Sequence, residues 1–152
     1  MTAPSRKLAE LGLTLPAVAA PAGSYIPARR SGSLVFTAGQ VPFVDGALPL
    51  SGKVGDAVTA EQAYDLARTC ALNALAAVDA LVGLDSVTGV VKVVGFVASA
   101  PGFNGQPKVI NGASDLLGEV FGEAGLHARS AVGVAELPLD APVEVELVVE
   151  VS

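Results

Sequence analysis

Arg129 opens the run Arg129-Ser130-Ala131-Val132-Gly133-Val134-Ala135-Glu136-Leu137-Pro138, a segment made mostly of small and apolar residues. A guanidinium in such company must be paired or must face a cleft, because an unpaired buried charge is strongly unfavourable. Its planar fork of donors suits bidentate capture of a carboxylate. Glu144 follows in Val143-Glu144-Val145-Glu146, on what reads as the neighbouring strand. Either the two side chains line one pocket, or they form an Arg–Glu pair that only ties strands together. Residue types alone leave both readings open. His127, the sole histidine, precedes Ala128-Arg129 in a turn after Gly125, where a turn or interface role is the ordinary expectation over that of a catalytic base. Cys70, the sole cysteine, falls on an apolar helical stripe and reads as a small buried hydrophobe rather than a reactive thiol. Asp79 and Asp85, at and just past the end of that helix, are expected to face solvent.

The other familiar routes to chemistry are missing from the sequence. It has no Gly-rich phosphate loop, no His-x-x-Glu-His, no Gly-x-Ser-x-Gly elbow and no cluster with metal-ligand spacing, so no metal or cofactor is expected. One cysteine excludes an intrachain disulfide and a Cys-rich zinc site. The net charge of −6, from 15 acids against 9 Lys plus Arg, argues against nucleic acid as a partner, and 5% aromatics supply little stacking surface. No uninterrupted apolar run reaches the length of a membrane span, and Glu10 breaks the apolar stretch a signal peptide would need. The expected location is cytoplasmic. At 152 residues, 51% hydrophobic and 16% charged, the chain reads as one folded domain. Its positive mean hydropathy suggests that part of its apolar surface is buried between subunits.

These residues need elements to position them. Residues 4–12 predict a short helix ended by Gly12, within an N-terminal extension over 1–22, and residues 15–23 are extended and irregular. Residues 24–30 predict an edge strand, because Pro27 cannot donate to a ladder. A strand follows from Ser33, ending near Gly39, and Asp45-Gly46 signals a two-residue turn. Thr59-Ala60-Glu61-Gln62 fits a capping box opening a long helix that Gly83 stops. Its inward stripe is Ala63, Leu66, Ala67, Cys70, Ala71, Ala74, Leu75, Val78, Leu81 and Val82. Residues 87–99 predict a strand covered on two sides, with Val91, Val93 and Val97 on one face and Val90, Lys92, Val94 and Phe96 on the other. After a loop, Pro107 suits the first turn of a second helix running to about Glu123. Residues 130–137 and 143–151 predict two closing strands joined as a hairpin. The layout is α+β, with helices packed on one face of a sheet.

The pattern Arg-Ser-x-Val-x-x-x-x-Leu-Pro followed by Val-Glu-Val-Glu, Arg129 to Glu146, resembles the signature of the RidA/YjgF family. Ser24-Tyr25 resembles the family's early Tyr, residues 34–42 its Phe-x-Ser-Gly-Gln-x-Pro strand, and Val109-Ile110-Asn111 its helix-opening Val-Asn. The resemblance runs from about Tyr25 to the C-terminus. It implies a chorismate-mutase-like fold with a mixed or antiparallel sheet, assembled as a homotrimer with sites in clefts between subunits. It further implies enamine/imine deaminase chemistry, the hydrolysis of 2-imino or 2-enamino acids to 2-oxo acids and ammonia. Carried over by position, Arg129 binds the substrate carboxylate and Glu144 positions or activates the attacking water. Tyr25 and Asn111 line the pocket, and the backbone at Gly39 closes it. The alternative on the same fold is a non-enzymatic binder of small carboxylates such as 2-oxo acids, a sensor or holdase. The endoribonuclease and translation-initiation-inhibitor labels of some members fit poorly with the net charge. Ala38 stands in place of the usual Ser, Ala131 where Cys is common, and the loop over residues 101–107 is longer. These departures point to a divergent subgroup with an altered pocket.

Overall fold

The long helix begins at its capping box. In the computed structural model, which describes residues 2–152, the Thr59 hydroxyl accepts from the Gln62 amide (3.1 Å) and the Gln62 side-chain oxygen accepts from the Thr59 amide (2.9 Å). Helix α2 then runs Ala60–Val82 and ends at Gly83, whose φ of 81° is open to glycine. The Asp79 carboxylate accepts the Leu84 amide (2.8 Å) just past that end. Asp85 accepts both the amide (2.8 Å) and the hydroxyl (2.7 Å) of Ser5, tying down the short helix α1, Pro4–Glu10. Both carboxylates are exposed, as expected, and both also terminate or anchor helices. The predicted stripe of α2 is buried through Val78, while Leu81 in the last turn is exposed. Asn73 and Ala77 are buried as well, widening the inward face beyond the predicted stripe.

Five strands form one sheet in the order β1-β2-β5-β3-β4: β1 (Ala28–Ser31), β2 (Leu34–Thr37), β3 (Val87–Ala98), β4 (Ala128–Val134) and β5 (Val143–Val151). Only β3 and β4 run parallel. This corrects the expected closing hairpin. Helix α3, Gln106–Phe121, crosses over from β3 and returns the chain parallel beside it, so β4 forms the edge. Strand β5 then inserts between β2 and β3, and Arg129 and Glu144 are not on neighbouring strands. Helices α2 and α3 cover one face. A Cβ at Gly112 of α3 would collide with the Tyr64 carbonyl of α2, which shows how closely the two helices approach.

Three strand expectations change on the same principle, that pairing partners rather than propensity set strand limits. The edge strand starts at Ala28, after Pro27, so Tyr25 lies in a bend outside the sheet. Strand β2 stops at Thr37, whose hydroxyl takes the Leu147 amide (2.9 Å). Pairing resumes one residue out of step at Gln40, opposite Val145, so Ala38 and Gly39 bulge. In β3, register shifts between Val87/Gly89 and Val90/Lys92 reverse the alternation, leaving Val90 buried and Val91 exposed. Beneath the helices lie Val35, Val93, Val97, Val143, Val145, Leu147, Val149 and Val151. The second face, with Phe36, Val94, Phe96, Val132 and Val148 beside Glu144 and Glu146, carries no helix among the described residues, and Phe36 and Val132 are exposed. No helix is long and apolar enough to cross a membrane among the described residues.

Candidate functional site

Arg129 is the second residue of β4 and pairs with Val93, a buried residue of the helix-covered face. Its guanidinium reaches across to α3. Nη1 donates to the Asn111 side-chain oxygen (2.8 Å) and the Ser114 hydroxyl (3.2 Å), and Nη2 donates to the Pro107 carbonyl (3.3 Å). All three acceptors are neutral, and no ion pair among the described residues includes Arg129. The Arg–Glu pair that would only tie strands together is therefore not what holds this side chain. It borders a surface cleft between α3 and β4, lined also by Ser114, Asp115, Glu119 and His127. The cleft's two carboxylates are engaged elsewhere: Asp115 accepts from the Tyr64 hydroxyl (2.6 Å), and Glu119 pairs with Arg68 (2.8 Å).

Glu144 is the second residue of β5 and pairs with Phe96, three residues from Val93 along an unbroken register. Side chains alternate along a strand, so Glu144 points to the face opposite Arg129. It meets Gly39 there. A Cβ on Gly39 would strike the Glu144 carboxylate, so the bulge glycine is what lets backbone and acid approach. Tyr25 and Glu144 share a cavity of about 590 Å³ with Ala19, Ala22, Gly39 and Leu139. The Tyr25 hydroxyl accepts the Ala22 amide (3.1 Å), folding the N-terminal extension over this cavity. Half-burial, and then the neighbouring Glu146, hold the Glu144 carboxyl above the usual glutamate range. It forms no ion pair among the described residues.

The structure thus brings Arg129 together with Asn111, and Tyr25 and Gly39 together with Glu144, but keeps the two sets apart on opposite faces of one sheet. Cys70 is fully buried, and burial pushes its thiol well above the ordinary range, as its place on the stripe predicts. His127 sits in the expected turn but also reaches Ser114, a contact that spacing did not disclose. Asn73 was missed too: buried on α2, its amide donates to the Val41 (3.0 Å) and Phe43 (3.1 Å) carbonyls and fixes the wall beside Gly39. Its signal was a polar residue three positions after Cys70 on the buried face. Leu139, with φ of 62°, gives no sequence signal for its left-handed backbone. No group of three or more candidate metal ligands occurs among the described residues.

A profile of the YjgF/chorismate mutase-like family, whose description also carries an endoribonuclease label, matches residues 5–151. Protein TCP17 of Trypanosoma cruzi is 46% identical over 147 residues, 95% of this chain and 92% of that protein. Among solved structures, Atu1372 of Agrobacterium tumefaciens, of unknown function, is 43% identical with a TM-score of 0.90, over 99% of this chain and 93% of its own. E. coli TdcF, solved with bound serine, is 28% identical with a TM-score of 0.66, over 91% of this chain and 96% of its own.

Proposed function

Because the chain belongs to the YjgF/chorismate mutase-like family, we propose that it hydrolyses 2-imino or 2-enamino acids to 2-oxo acids and ammonia at a site completed between copies of the chain in a homotrimer. The observation that carries this reading is the Arg129 guanidinium, ordered by neutral acceptors and left without a carboxylate partner. Three of its five N–H donors are used. The Nε–H and one Nη2–H remain for a ligand, and a guanidinium can grip a carboxylate in two parallel hydrogen bonds. The bound serine of TdcF, an amino acid, supports a ligand of this class.

The chemistry asks little more. An imine carbon is already electrophilic, so a positioned water and a place for its proton suffice. Water adds to C2 while Glu144 takes its proton, and that proton passes to nitrogen to give a carbinolamine. Glu144 next takes the hydroxyl proton and passes it to the nitrogen, so that carbonyl formation breaks the C–N bond and releases ammonia. A carboxyl held above its ordinary range is the stronger base for this step. Since Arg129 and Glu144 face away from each other in one chain, a second copy supplies one of them. The apolar face around Phe36, Val132 and Val148 supports such an assembly. The net charge of −6 disfavours a nucleic-acid partner, and small carboxylates are the proposed ligands.

An amino-acid oxidase generating 2-imino acids in the presence of semicarbazide supplies the test. Wild type should divert imine away from semicarbazone, and Arg129→Ala should reduce that diversion at least about 100-fold. An unchanged rate in the variant overturns the assignment. Tight binding of 2-oxo acids with no turnover would instead favour carboxylate binding without hydrolysis.

A further inference from the structure

Beside Arg129 lies a chain of hydrogen bonds in which each partner's role is dictated by the next. The His127 Nδ1 stands 2.6 Å from the Gly125 carbonyl oxygen, and Nε2 stands 2.9 Å from the Ser114 hydroxyl. A carbonyl can only accept, so Nδ1 carries a proton, and in the neutral imidazole Nε2 then presents a lone pair. The Ser114 hydroxyl therefore donates to Nε2. Its oxygen is left as the acceptor for Arg129 Nη1 at 3.2 Å. The direction runs from the guanidinium through the hydroxyl and imidazole to the backbone of the turn. Asn111 takes the other Nη1 hydrogen and the Pro107 carbonyl takes one from Nη2. Tyr64 and Arg68 hold the cleft's acids, Asp115 and Glu119, so neither neutralises Arg129.

We propose that Ser114 and His127 are positioning residues for Arg129: they set the rotation of its guanidinium so that the Nε–H and Nη2–H edge faces the substrate carboxylate. This rests on the deaminase reading above and adds to it how the arginine is aimed. A long arginine side chain on an edge strand has many rotamers, and three acceptors on one side select among them. Ser114 supplies an acceptor of defined direction only because His127 has claimed its proton. His127 in turn is fixed by the Gly125 carbonyl, in the turn that leads into β4.

The test compares Ser114→Ala, Ser114→Thr, His127→Phe and Arg129→Ala with wild type, each as the assembled full-length protein. Kinetics on 2-imino acids are paired with calorimetric binding of 2-oxobutanoate, normalised to folded protein. Ser114→Ala and His127→Phe should each raise KM and the 2-oxobutanoate Kd about ten-fold, with kcat within about two-fold of wild type. Ser114→Thr keeps a hydroxyl and should restore both constants. A merely structural role would lower the folded fraction and leave the normalised Kd unchanged, which overturns the proposal. So would failure of the threonine variant to restore binding, or a fall in kcat without a change in Kd. If Arg129→Ala itself leaves 2-oxobutanoate binding intact, the deaminase reading fails. If Arg129→Ala abolishes binding while Ser114→Ala and His127→Phe do not weaken it, only the positioning proposal fails.

Discussion

Glu144 shows at the level of one residue how placement changes chemistry. Its carboxyl is raised by burial and by Glu146, so the folded state holds the proton to higher pH than the unfolded chain does. As pH rises from below the ordinary glutamate range, the unfolded chain loses this proton first, and the fold loses stability until the folded carboxyl has also ionised. Glu144→Gln should therefore match wild type in acid and become the more stable of the two as pH rises through that window, with the gap constant above it. Melting temperatures across a pH series check this, and a gap independent of pH would contradict it. The same substitution should abolish imine hydrolysis. Type alone left Arg129 and Glu144 open between a shared pocket and a strand-tying pair, while Cys70 was legible as core. The part of Ser114 was not legible, because its meeting with Arg129 and His127 depends on the phase of α3 against β4.

Among the elements, α2 was the most legible, since its cap, stripe and Gly83 stop are all local signals. Thr59→Ala removes the hydroxyl that accepts the Gln62 amide and should destabilise the protein by about 1 kcal/mol in urea unfolding. Gly112 makes a different demand. Its Cβ position is occupied by the rigid Tyr64 carbonyl, so Gly112→Ala must push α2 and α3 apart. A loss of about 1–3 kcal/mol is expected by the same measurement, and a neutral result would mean that the helices have room to slide. The strands were less legible. The bulges at Ala38-Gly39 and in β3 are set by partners far along the chain, and no local pattern announces them. Val-rich strands predict burial on both faces equally well whether a helix or a second subunit covers the far side.

For the whole molecule, the separation of Arg129 from Glu144 leads to a test of assembly. If each site takes Arg129 from one copy and Glu144 from the next around a closed ring, Arg129→Ala and Glu144→Gln chains are inactive alone but complementary. Co-refolded in equal amounts, they should recover about a quarter of wild-type activity, because random neighbours pair the two intact residues at that frequency. A mixture as inactive as its components would place both residues in the same copy's site, and light scattering at micromolar concentration should show three chains together. By itself the sequence determined the α+β class, the helices and their buried stripes, and the residue types available for chemistry. These follow from periodicity and side-chain chemistry within a few turns of chain. Only the tertiary structure decided that β5 inserts between β2 and β3, that Arg129 and Glu144 point to opposite faces, and that Ser114 and His127 stand behind the arginine. Those facts depend on which distant strands share hydrogen bonds, and a one-residue change of register there turns a side chain from one face to the other.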